Sequence, residues 1–368
     1  MTLSRRRPLP QPADQAARQL KQAETAIALL ERVRPTNLPA ERARLVLGFR
    51  AGERPTPALG YAPAPELADL RRALGRLAAS LDPADSEQRL LCERARELEL
   101  EAELVELVGS AGFRACAARR FPLPADDSVL REHAARFAQA GAAPPAQSPE
   151  LHVSDDERDP HSLISQISRR VSAEKLPVRV QPDPGLVPLA AVADDLVRVR
   201  SGARLSAAVG RRIALHEVEG HLLPRARGRQ LGGVWLAASA GATEDEEGRA
   251  ILLEERAGLL DAVRRAELGR RYLAAASVRD GAELWDTVEL LGRHGAEGGA
   301  AIELACRVHR GGGLGRESIY LSGYLRVAAT LGREPQLERV LEQGRVSLSA
   351  ARALLADSVE LDDDRDVI

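Results

Sequence analysis

Apolar residues recur at helical spacing through most of the first third of the chain. Ala16, Leu20, Ala23, Ile27 and Leu30 fall three or four residues apart, which predicts a helix over 13–33 that stops at Arg34-Pro35. The stretch 52–65 is rich in Pro and Gly and reads as an irregular loop. Helices are predicted over 66–81 and 86–108, the second carrying Leu90, Leu91, Leu98, Leu100 and Leu104. Phe121-Pro122-Leu123-Pro124 interrupts the pattern, and another helix is predicted over 128–140. The polar, Pro-rich passage 141–160 is the best boundary. Beyond it the pattern changes. A helix over 163–173 is followed by clusters of β-formers, Pro177-Val178-Arg179-Val180 and Leu196-Val197-Arg198-Val199, which predict short strands. Ser206 starts a helix that runs through Ile213-Ala214-Leu215 into His216-Glu217-Val218-Glu219-Gly220-His221. A loop over 238–242 then leads to an acidic helix over about 243–263 with Thr243 as its N-cap, and Trp285 to Leu291 is helical again. Arg310-Gly311-Gly312-Gly313-Leu314-Gly315 reads as a glycine-rich loop, and no fixed repeat is present. The chain is therefore expected to be mainly α with a small β component (α+β). Residues 1–150 are expected to form an N-terminal helical region with a loose arm at 1–12, 151–345 a second domain that carries the His216 run, and 346–368 a C-terminal helix and acidic tail.

Composition narrows the class. The 52 basic and 54 acidic residues nearly cancel, so no general attraction to nucleic acid or anionic lipid is expected. Only Lys21 and Lys175 among the basic residues are lysine, which together with the alanine excess fits a GC-rich bacterial coding bias. Cys92, Cys116 and Cys306 are odd in number and scattered through apolar stretches, as expected of buried free thiols. The N-terminus has basic residues with no apolar segment behind them, and no apolar run is long enough to span a bilayer, so a cytoplasmic location is expected.

The run from His216 to His221 carries the chemistry. Zinc takes neutral imidazoles and carboxylates at about 2.0–2.2 Å and, in catalytic sites, keeps one position open. Two His five residues apart diverge by about 140° on an ideal α-helix. A π-bulge, or a break near Gly220, would bring them back together, and π-bulges concentrate at functional sites. Glu217 follows the first His, as the general base does in H-E-x-x-H helices. The segment Thr243-Glu244-Asp245-Glu246-Glu247 offers a third ligand, or simply a favourably charged helix start. His133, His152, His161, His294 and His309 have no partner at ligand spacing and are expected to be structural or solvated.

Three blocks over 195–326 carry a resemblance to a known family. They are Leu215 to His221, Thr243 to Ala250, and Arg307-Val308-His309-Arg310-Gly311-Gly312 leading to Arg316-Glu317-Ser318-Ile319-Tyr320-Leu321-Ser322-Gly323. Together they resemble the QEGLA-motif proteins, whose animal relatives are tubulin tyrosine carboxypeptidases, zinc metallopeptidases of the HExxxH type. The resemblance implies a zincin-like core in which His216, His221 and Glu247 hold Zn2+, with Glu246 as the fallback third ligand, and in which Glu217 activates water. Glu246 and Arg249 stand where the family motif has Gln and Leu, which puts substrate preference in question; Arg249 is expected to meet an acidic substrate side chain. A carboxypeptidase must also hold a terminal carboxylate, for which Arg310, Arg316 and Tyr320 are suited. The function expected is cleavage of a C-terminal residue from a peptide or protein. The alternatives are hydrolysis of another amide and a non-enzymatic helical binding protein.

Overall fold

A computed structural model of the chain describes residues 11–140, 149–186 and 188–363. It is an α-rich α+β structure, and among the described residues no helix is long and apolar enough to cross a membrane. The described residues fall into two units, one of 11–14, 149–261 and 323–363, the other of 15–140 and 262–322.

The first unit holds all the strands. Strand β1 (Leu151–Val153) pairs antiparallel with β5 (Arg204–Ser206). Strands β2 (Arg179–Asp183), β3 (Ala190–Val192) and β4 (Leu196–Arg200) form a second sheet in the order β2-β4-β3, with β2 and β4 parallel and β3 antiparallel to β4. The alternation expected of 196–199 is present: Val197 and Val199 point into the core while Arg198 and Arg200 are exposed. Helix α1 (Leu163–Ala173) covers that core with Ile164 and Ile167, and its N-cap Ser162 accepts from the backbone N–H of Ser165. Ser206 caps α2 (Ala207–Leu215) in the same way, through Val209. These caps satisfy N–H groups that a helix start otherwise leaves open.

From α2 the chain passes without a break into a π turn, His216–Leu222, then into α3 (Leu223–Leu231). Val218 and Leu222 drop into the same core as the sheet, so the distorted turn is anchored from below. Helix α4 (Ala242–Arg256) follows. It starts earlier than predicted, with Gly241 as N-cap at φ 71° and Thr243 inside the first turn, because glycine takes the left-handed conformation at no steric cost. It also ends earlier, since Gly258 at φ 70° stops it and Ala262–Arg279 is a separate helix. Residues 323–333 of helix α5 (Ile319–Arg333) cross α4 at two glycines: a Cβ on Gly248 would lie 2.3 Å from the backbone of Gly323. The crossing is tied by Arg326 to Asp245 at 2.7 Å and by the Tyr324 hydroxyl to Glu255 at 2.7 Å.

The second unit is helical. Its hairpin of Ala68–Ser80 and Ser86–Glu106 lies within two residues of the predicted ends, and Ser128–Ala140 matches them. The helix expected over 13–33 divides into Gln11–Ile27 and Leu29–Arg32 at Ala28, which has φ 44°. Residues 1–10 of the expected arm lie outside the described residues, and 11–12 are already helical. Helices Leu38–Arg50 and Phe113–Arg120 were not foreseen. The three cysteines are free and buried, as expected.

His309 in this unit gives a pH prediction. Burial depresses its pKa to about 4, while Thr287 Oγ1 lies 2.9 Å from its Nε2. A depressed histidine favours the neutral ring, so its contribution is complete above the unfolded value of about 6.5 and lost as pH falls toward the folded one. Between pH 7.5 and 4.5 the wild type loses about 2–3 kcal/mol from this group. Urea titrations at the two pH values check it: His309→Gln shows a correspondingly smaller loss.

Candidate metal centre

The π turn does what the five-residue spacing requires. Its wider winding brings the imidazoles of His216 and His221 to 4.9 Å between ring centroids, at 74° to one another. Both rings present Nε2 to one carboxylate oxygen on α4: Glu247 Oε2 lies 3.3 Å from His216 Nε2 and 3.6 Å from His221 Nε2. One ligand atom from each of His216, His221 and Glu247 can be chosen so that all lie within 4.8 Å of one another, the separation of groups that could hold one metal ion.

The Nδ1 atoms face two further carboxylates of the same helix. His216 Nδ1 is 2.7 Å from Glu254 Oε1, and His221 Nδ1 is 3.0 Å from Glu246 Oε1, the latter outside hydrogen-bond alignment. Glu246 thus faces the back of His221, while Glu247 faces the front of both rings. A carboxylate behind a ligating imidazole fixes ring orientation and tautomer, leaving Nε2 as the lone-pair donor. Glu254 was missed by the sequence reading. It stands seven residues after Glu247, about 20° away on the helical wheel, and that spacing could have pointed to it.

Arginines hold these carboxylates. Glu254, fully buried, has Arg212 Nη1 3.7 Å from its Oε2; Glu246 has Arg345 Nε at 3.1 Å and Arg225 Nε at 3.6 Å. Burial pushes Glu246 up, but Arg345 and Arg225 outweigh it and keep its carboxyl well below the usual range. Burial works against a charged imidazolium at His221, yet Glu246 and Glu247 hold that ring up to about 10; His216 is raised in the same way against burial by Glu247 and Glu254. The carboxylates facing the two rings favour a positive charge there.

Of the two glutamates inside the motif, Glu219 is tied to Arg170 on α1. Glu217 has no hydrogen bond or ion pair among the described residues, and burial raises its pKa. Gly220 is required by packing: a Cβ there would lie 2.6 Å from Ala250 Cβ, so only glycine lets the turn sit against α4. The role expected of Arg249 is corrected by its burial. It does not face outward to a substrate; its Nη2 donates to the carbonyls of Glu219 at 2.7 Å and Gly220 at 3.0 Å.

Arg310, Arg316 and Tyr320 belong to the other unit, where they gather with a residue the sequence reading passed over, Glu317. Arg307 Nε donates to Glu317 Oε1 at 2.8 Å, and Arg310 Nη2 reaches the same oxygen at 3.5 Å. Arg316 Nη1 donates to the Tyr320 hydroxyl at 3.0 Å, and the Arg271 guanidinium lies 4.8 Å over the Tyr320 ring. Burial pushes Glu317 up, but Arg307 and Arg310, with Arg271 and Arg316, hold it at about 2.

The site is an H-E-x-x-x-H run wound as a π turn, with a carboxylate-bearing helix laid across it, a donor set that could hold one metal ion. The chain belongs to the microtubule-associated tyrosine carboxypeptidase family, whose model matches residues 49–360. No curated protein matches the chain. A solved crystal structure of a protein from Colwellia psychrerythraea is similar at a TM-score of 0.48 and 12% identity, covering 78% of this chain and 66% of that one. The chain thus spans just under two thirds of that protein's length.

Proposed function

We propose that the protein is a zinc-dependent carboxypeptidase that removes the C-terminal residue of a peptide or protein. The observation that carries the reading is the convergence of His216 and His221 Nε2 on Glu247 Oε2 across the π turn. The donor set fits zinc: two imidazoles and one carboxylate within reach of one ion, both rings backed by carboxylates, and no thiol among them. His216, His221 and Glu247 would hold the ion, which supplies Lewis acidity toward the scissile carbonyl and the attacking water.

The chain's own residues do the rest. Glu254 and Glu246 hold the two rings from behind. Glu217, its pKa raised by burial, takes the proton of the attacking water and passes it to the leaving amine. In the second unit taken by itself, we propose Arg310, Arg316 and Tyr320 as residues of a type suited to an anionic ligand such as a terminal carboxylate.

Elemental analysis and peptide digestion test the reading together. Purified protein is expected to carry about one zinc per chain, lost in His216→Ala. It should release a single residue from synthetic peptides with free C-termini and leave C-terminally amidated peptides intact. Absence of stoichiometric metal overturns the zinc site, and equal cleavage of amidated peptides overturns the carboxypeptidase assignment.

A further inference from the structure

The π turn that aligns the two histidines is immediately followed by a residue that cannot support it. In the turn, the N–H of Leu223 donates to the carbonyl of Val218, five residues back. The next rung of that ladder would take an N–H from residue 224 to the carbonyl of Glu219, but residue 224 is Pro, which has none. Reverting to α winding does not help, because the four-residue partner of the Gly220 carbonyl is also residue 224. Pro224 therefore takes away the π partner of one carbonyl and the α partner of the next. Both carbonyls belong to a buried turn, where an unmet acceptor is costly.

Arg249 meets both. Its Nη2 donates to Glu219 O at 2.7 Å and to Gly220 O at 3.0 Å. The side chain is buried, with no ion pair among the described residues. A buried guanidinium is expensive unless its donors are used. Here Nη2 is spent on the carbonyls beside Pro224.

We propose that Arg249 is a positioning residue that locks the π turn opened at Pro224, and so holds His216 and His221 in their shared orientation. The consequence for zinc rests on the metal reading above; the consequence for the turn does not. Loss of the guanidinium leaves two carbonyls unmet, and the turn relaxes toward windings in which the rings separate, approaching the divergence of about 140° of an α-helix. Arg249 touches neither substrate nor ligands and acts through the backbone of the motif.

Two readouts on the full-length chain test this: zinc affinity by competition with a chelator, and amide hydrogen exchange over 216–223 in metal-stripped protein. Arg249→Met is expected to weaken zinc about 10- to 100-fold, the range for loss of support behind ligands, and to speed exchange in the turn. At zinc saturation kcat falls while KM holds. Arg249→Lys, which keeps a buried donor, recovers part of both effects. In a Pro224→Ala background, where an N–H is restored to the ladder, Arg249→Met costs less than in the wild type. Unchanged exchange in folded Arg249→Met overturns the proposal, whatever happens to zinc. If that variant does not fold, Arg249→Lys decides: intermediate exchange and affinity support the lock, and wild-type values for both overturn it. A wild-type chain that binds no zinc sinks the metal reading alone, and the exchange result still judges the lock.

Discussion

Glu217→Gln is expected to lower kcat by about 100- to 10,000-fold while the protein keeps its zinc, the range spanned by general acid-base catalysis. The other carboxylates of the centre already have partners. Glu247 faces both imidazoles, Glu254 and Glu246 stand behind them, and Glu219 is tied to Arg170. Only Glu217 is left without a partner among the described residues, and burial raises its affinity for a proton. Glutamine has the same shape and no basicity, so it removes proton transfer and little else. Parallel measurement of metal content and peptide hydrolysis separates the roles. Loss of zinc in Glu217→Gln would make Glu217 a ligand, and retained turnover would move the base elsewhere.

The second large effect is on stability. Gly248→Ala should cost about 3 kcal/mol or more, at or above the upper end of ordinary overpacking. Its new Cβ would lie 2.3 Å from the backbone of Gly323 and 2.8 Å from the N of Tyr324. Both neighbours are main chain, so no rotamer change relieves the clash; the helices must move apart. Separation pulls at Arg326–Asp245 and Tyr324–Glu255, and it shifts the helix that carries Glu246, Glu247 and Glu254. Chemical denaturation reads the loss, and weaker zinc binding by the folded fraction should accompany it. A midpoint within error of the wild type would mean that the crossing is not close-packed in solution.

Much of the architecture was legible because local rules govern it. Periodic apolar positions and capping serines define helices such as Leu163–Ala173 and the one that begins after Ser206. Alternating Val and Arg define β4. Elements were missed where a local signal points two ways. Pro35 reads as a stop, but Pro39 sits in the first turn of a new helix, Leu38–Arg50, where proline is tolerated. Phe113–Arg120 is too short to show a period. The acidic helix was drawn too long because Gly258 was not read as its end.

At the site, the spacing of His216 and His221 by itself demanded a departure from α winding, since two rings that diverge on an ideal helix cannot share an ion. Pro224, three residues beyond His221, was visible in the same sequence. What the sequence left open was which carboxylate goes where. Glu246 and Glu247 are neighbours, and their assignment depends on the rotation of α4 about its own axis. That rotation is set by contacts distant in sequence, Gly220 against Ala250 on one side and Gly248 against Gly323 on the other. The same contacts bring Glu254 behind His216 and turn Arg249 inward onto the π turn. Winding is a property of neighbours along the chain and can be read there. The facing of one helix toward another is decided by packing, and only the tertiary structure contains it.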